Sequence, residues 1–366
     1  MLHLNSGIPD NEARKILNLA CFSAASVGKV TPDSLIAHAE KLEKKYLSTP
    51  KTKFRLVTSI SVDFTAEPVT FRAGTVEISF GKTASPKAER CSAELIEDVK
   101  KSVFGELPRF YSQVTAVVKA RNPDEAATHA LNRIDLIRAI WNLWHNRGRT
   151  IRVSSGARSP VNVIILGPIH TLHKPAGELA TDSWWYEPTY RGPVSVWHDP
   201  QRCTKMLMFT KNVRVALRKI PYRSLIEIAM VRYARALDSR DWNSCFLELW
   251  SILEGLTGTS LKDNHKITVR RSAMLFKDWD YSMQVLHHLR SYRNLAVHGG
   301  KEGQHIEVVM YQAKNFVEVL LEFHLARAGQ FKSITEVAAF LDAAPGLEEI
   351  DRQIKRLKTV KKYLTA

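Results

Sequence analysis

Cysteine is scarce and scattered. Cys21, Cys91, Cys203 and Cys245 stand far apart in 366 residues, with no CxxC pair and no metal-finger spacing. That argues against a disulfide framework or a zinc site and fits a reducing compartment. Long apolar runs are missing too: none approaches the roughly 18 residues of a membrane span. The opening "MLHLNSGIPDNEARK" has no basic start followed by an apolar stretch, as a secretory signal would have. The expectation is a cytoplasmic chain without a membrane partner. Acidic residues are in deficit, 37 against 53 Lys plus Arg, for a formal net charge of +16. A charge that large attracts polyanions, and nucleic acid is the usual one for a cytosolic protein, although a merely well-solvated surface gives the same count.

What is present describes a globular protein. Apolar residues make up 45% of the chain and charged residues 25%, with eight tryptophans. The length suggests two domains. Residues 10 to 47 carry helical spacing, and "TPDSLIAHAEKLEKKYL" opens on a Thr-Pro-Asp cap. "FRLVTSISVDF", "GTVEISF" and "YSQVTAVVKAR" are rich in β-branched residues and read as strands. "NPDEAATHALNRIDLIRAIWNLWHNRG" reads as a helix capped by Asn122, with Pro123 in the first turn. Between 150 and 212, "TIRVSSG", "PVNVIILG", "GPVSVWHD" and "KMLMFT" suggest further short strands.

Beyond about Ile220 strand signals vanish. "YRSLIEIAMVRYARAL" aligns Ile226, Met230, Tyr233 and Leu237 on one face. "DWNSCFLELWSILEGLTG" aligns Trp242, Cys245, Phe246, Leu249, Leu253 and Leu256, and "DYSMQVLHHLRSYRNLAVH" aligns Val285, Leu289, Tyr292 and Ala296. The expected fold is therefore α+β: a mixed sensing or regulatory domain over 1–215, a helical bundle over 222–329 and a basic helical extension over 330–366.

Two motifs are set aside. "GTVEISFGKT" ends like a phosphate loop, but six residues separate Gly74 from Gly81 where four are needed, and the segment reads as a strand. His170 with His173, and His287 with His288, lack a third ligand nearby. No metal or cofactor is expected.

The remaining candidate is "LRSYRNLAVHGG", residues 289 to 300. On a helix Asn294 and His298 lie one turn apart, Arg290 lies one turn before Asn294, and Arg293 is about 140° from His298. Gly299 and Gly300 suit a helix end. In the last turn the dipole favours an imidazolium, which suits general acid or base chemistry, and the planar guanidinium of Arg293 suits a phosphate. An ordinary helix terminus, where cations complement the dipole, explains the same residues.

"RNLAVH" resembles the motif of the HEPN (higher eukaryotes and prokaryotes nucleotide-binding) superfamily, an arginine, a polar residue, three variable positions and a histidine. "FLELWSILEGLTG" is similar to the helix that precedes that motif, and "VKARNPDEAATHAL" is similar to N-terminal segments of such proteins. The likeness covers roughly 222–329, and the "HG" ending resembles the stand-alone antiphage-defence or abortive-infection type. The resemblance implies a homodimer with facing motif helices, so that Arg293 of one subunit serves His298 of the other. It implies a toxin-like, metal-independent endoribonuclease in which the 2′-hydroxyl of RNA attacks the adjacent phosphate. His298 would be acid or base, Arg293 the phosphate clamp and Asn294 the orienting group, with Arg290 and Glu254 supporting, Glu254 by an ion pair to Arg293. A phage component or small molecule would act on the N-terminal domain. The alternative is a non-catalytic HEPN module that binds nucleic acid or a nucleotide.

Overall fold

In β1 (Thr52–Ile60) the side chains of Phe54, Leu56, Val57 and Ile60 are buried, which makes this strand the centre of a sheet. The computed structural model describes residues 8–28, 30–100, 106–149, 160–259, 265–299, 305–343 and 346–365. Among them β2 (Val69–Ala73), β3 (Val76–Phe80), β4 (Ser112–Ala120), β5 (Ile169–His173) and β6 (Trp185–Tyr186) join β1 in an antiparallel sheet of order β2-β3-β4-β1-β5-β6. β1 and β4 pair from Thr52 opposite Ala120 to Ile60 opposite Ser112. The phosphate-loop look-alike lies in this sheet. Gly74 turns β2 into β3 at a φ of +65°, and a Cβ at Gly81 would sit 2.1 Å from the Phe64 carbonyl oxygen.

The chain forms two compact units, Met1–Ile134 with Ile164–His198, and Asp135–Val163 with Asp199–Ala366. The first holds the sheet, α1 (Asp10–Ser26), α2 (Pro32–Ser48), α3 (Pro86–Lys100) and the start of α4 (Pro123–Asn146). The expected caps are formed: the Ser34 N–H donates to Thr31 Oγ1 at 3.2 Å and the Glu125 N–H to Asn122 Oδ1 at 2.8 Å. Asn122 Nδ2 also donates to Glu12 Oε2 at 3.0 Å, tying α1 to the cap of α4.

The second unit is helical: the rest of α4, α5 (Pro200–Lys219), α6 (Arg223–Asp238), α7 (Trp242–Leu256), α8 (His265–Ala273), α9 (Trp279–Gly299), α10 (Ile306–Ala326), α11 (Ile334–Leu341) and α12 (Leu347–Leu364). Ile226, Met230, Tyr233 and Leu237 of α6 pack into one core with Phe246, Leu249, Trp250 and Leu253 of α7 and Val317, Leu320 and Leu321 of α10. α11 docks through Val337, Ala338 and Leu341, and Phe340 stacks on Phe323 at 5.6 Å. α12 buries no residue.

Polar groups cross this core as a bonded set. Arg138 donates to Asp238 Oδ1 and Oδ2 at 2.8 and 2.7 Å and to Asp135 Oδ1 at 2.7 Å. Burial pushes the Asp135 carboxyl up, but Arg138 and Arg235 outweigh it and hold the group below the usual carboxylate range. Lys314 Nζ bonds Glu318 at 2.8 Å and the carbonyls of Asn146 and Arg149 at 2.9 and 3.0 Å, so it caps the end of α4 from inside.

The strand expectations between 150 and 212 need correction. "KMLMFT" lies in α5, capped by Asp199 with Pro200 in its first turn. Its Met206, Thr210, Val213 and Leu217 are buried at helical spacing, so a period of 3.6 governs the segment rather than alternation. "PVNVIILG" contributes one bridge, Leu166 to Ile60, and "GPVSVWHD" one, Trp197 to Val62. "TIRVSSG" lies outside the described residues.

Candidate functional site

α7, α8 and α9 carry the residues singled out by the sequence. Asp241 starts α7 by accepting from the N–H groups of Asn243 and Ser244 at 3.0 and 3.2 Å. Asp278 starts α9 by accepting from the Tyr281 N–H at 3.1 Å. Leu286, Leu289, Tyr292 and Ala296 form the buried stripe of α9, and Tyr292 stands edge-on to Phe246 of α7, centroids 5.1 Å apart. That contact sets the rotation of α9. With Tyr292 turned inward, Arg290, Arg293 and Asn294 fall half-buried on its shoulders, while Leu295, 70% exposed, and Val297 face outward.

Several arginines of this unit are paired: Arg232 with Glu248, Arg235 with Asp135, and Arg270 and Arg271 with Asp342. Among the described residues, Arg290, Arg293 and Asn294 have no side-chain hydrogen bond or ion pair. A half-buried guanidinium without a carboxylate keeps its planar fork for an external oxyanion. α9 continues through His298 to Gly299, which places His298 in its last turn. The His298 side chain and Gly300 lie outside the described residues. The 293-to-298 spacing on one continuous helix keeps the two positions about 140° apart.

Glu254 is engaged elsewhere. Its Oε1 accepts from Trp250 Nε1 at 2.8 Å and bonds His265 Nδ1 at 2.7 Å. Phe246, level with Tyr292, is eight residues before Glu254 on α7, about 12 Å along the axis. The carboxylate therefore sits two turns from the part of α7 that touches the motif, and its partner is an imidazole rather than Arg293. His265 escaped the sequence reading because it follows the 260–264 segment, which has no helical periodicity to anchor it to α7. The only signal was a histidine at the start of a helix following Glu254.

The other histidines are placed by hydrogen bonds. His170 bonds Thr58 Oγ1 at 2.6 Å and Glu187 Oε1 at 3.1 Å; His173 bonds Ser92 Oγ at 3.0 Å, Thr171 Oγ1 at 2.9 Å and the Gly177 carbonyl at 3.1 Å. Both rings are buried, with both nitrogens used. His287 and His288 are exposed on α9. Among the described residues no cluster of three or more His, Cys, Asp or Glu could hold a metal ion, and no helix is long and apolar enough to cross a membrane.

Fold and site together define an α+β protein whose helical unit presents an arginine, an asparagine and a histidine near the end of one helix. The chain matches no protein-family model, no curated protein and no solved structure.

Proposed function

We propose that the chain is a metal-independent endoribonuclease of HEPN type, acting as a homodimer through its α9 helices in antiphage defence or as a toxin-like effector. The observation that carries this reading is the half-buried Arg293, which has no polar partner among the described residues and shares the end of α9 with Asn294 and His298. The exposed Leu295 and Val297 beside it supply apolar area for a facing subunit. Pairing two copies lets Arg293 of one chain work with His298 of the other, which removes the 140° mismatch.

The chemistry balances without an added group. A base takes the proton of the ribose 2′-hydroxyl, and the 2′-oxygen attacks the adjacent phosphorus. The bond to the 5′-oxygen breaks, and that oxygen receives a proton, leaving a 2′,3′-cyclic phosphate and a 5′-hydroxyl. His298 supplies the proton transfer, Arg293 holds the non-bridging oxygens as charge builds on them, and Asn294 orients the phosphate or the imidazole.

The test is RNA cleavage in the presence of EDTA, with the ends of the products identified. His298→Ala is expected to lower the rate by about 10²–10⁴-fold, the usual value of a positioned acid or base. Arg293→Ala should weaken both cleavage and RNA affinity. Equal cutting by His298→Ala and wild type overturns the reading. RNA binding that depends on Arg293, with no cleavage by either protein, identifies the non-catalytic HEPN module instead.

A further inference from the structure

α12 exposes an apolar seam that the rest of its unit does not cover. Leu347, Ile350, Ile354, Leu357, Lys361 and Leu364 follow one another at intervals of three and four, so that five of the six positions are apolar and Lys361 is the fifth. This is a heptad seam carried over 18 residues, about 27 Å of helix. Leu347 is 81% exposed, Leu357 63% and Leu364 76%. An apolar stripe of that regularity, left in water, calls for a partner helix with the same spacing.

We propose that α12 pairs with α12 of a second copy of this chain in an antiparallel two-helix coiled coil. Charge decides both the occupant and the direction. Residues 347–353 hold Glu348, Glu349 and Asp351 against one Arg352, whereas residues 354–364 hold Arg356 and four lysines with no acid. A parallel pair would oppose the two basic halves and place Lys361 against Lys361 in the seam. The antiparallel pair brings each acidic end to the other chain's basic end. Its seam closes on itself without gaps: Leu347 meets Leu364, Ile350 meets Lys361 and Ile354 meets Leu357 of the partner copy. Asp351 and Lys358 then share one flank and face each other across the pair. The seam is short, so pairing should depend on protein concentration. The proposal does not rest on the ribonuclease reading, since it uses no residue of α9.

Disulfide trapping in the full-length chain tests it, in a Cys21→Ser background because Cys21 is exposed. Ile350→Cys and Lys361→Cys are prepared as separate variants. Each alone is expected to stay uncrosslinked, and their equimolar mixture should give a crosslinked heterodimer under mild oxidation. Leu357→Asp, added to both, should abolish the crosslink with an unchanged thermal midpoint, because α12 buries no residue. Self-crosslinking of either single variant would show a parallel pair and overturn the register. No crosslink in the mixture, or sedimentation with anionic phosphatidylserine vesicles that Leu357→Asp abolishes while the mixture stays uncrosslinked, would overturn the self-pairing.

Discussion

Arg138 and Arg293 carry the same charge to opposite ends. Arg138 is 1% exposed and bonded to two carboxylates, Asp135 and Asp238. Replacing it with Met removes the guanidinium that both oxygens of the buried Asp238 accept from and strips Asp135 of one of its two. Breaking such a set costs about 3–5 kcal/mol, because the remaining charge cannot be solvated. Urea unfolding of Arg138→Met should show that loss, and adding Asp238→Asn should recover part of it. Arg293 has no polar partner among the described residues, so Arg293→Ala is expected to change stability by no more than about 0.5 kcal/mol. A large loss of stability in the Arg293 variant would mean that its guanidinium holds the fold together and is not free for a substrate.

Where α7 ends, a histidine from α10 takes over its last carbonyl. His324 Nε2 bonds the Leu256 oxygen at 2.9 Å, so that nitrogen donates and Nδ1 accepts from the Tyr222 hydroxyl at 3.1 Å. Burial pushes His324 down to about 4, and burial with Arg202 and Arg149 does the same to His145 at the end of α4. Above the ordinary value of 6.5 both states are neutral and stability is full. As pH falls from 6.5 towards 4 the unfolded chain takes up protons that the folded one refuses, so stability drops by up to about 3 kcal/mol per histidine. Thermal midpoints should therefore fall between pH 6.5 and 4.5, and His324→Gln should flatten the slope; a midpoint flat over that range would contradict the burial. None of this was legible in the sequence, where His324 is one more residue in an apolar helix. The seams of α6, α7 and α9 were legible because amphipathic helices announce their inward face by a period of 3.6, and the cap of α4 because Asn122 and Pro123 are local signals. α5 was misjudged because "KMLMFT" is too short to show its period. The motif residues were legible as a spacing, but the partner of Glu254 was not, since His265 reaches it only once α8 has folded back.

For the whole molecule the formal charge of +16 has to be placed before it means anything. The buried set around Asp135 adds nothing to it, because Arg138 and Arg235 there meet Asp135 and Asp238, and part of the surplus concentrates in α12. A further share lies on α5, which has six basic residues and no acid, with Arg202, Lys205, Lys211, Arg218 and Lys219 exposed. Its Arg202 stacks over Trp144 at 5.1 Å, an arrangement that holds a guanidinium flat and outward. On the ribonuclease reading such a face tracks the phosphate backbone without reading sequence, while Arg293 acts at the bond to be cut. The two roles separate by salt. Single-stranded RNA affinity should fall linearly with log salt, each phosphate contact contributing roughly 0.7 to the slope. Changing Lys205, Lys211 and Arg218 to Gln should thus make the slope shallower by about 2 and weaken binding equally for unrelated sequences. His298→Ala should leave the slope where it was and remove only cutting. A triple variant with an unaltered slope would take α5 out of the RNA contact and leave its charge as a solvated face.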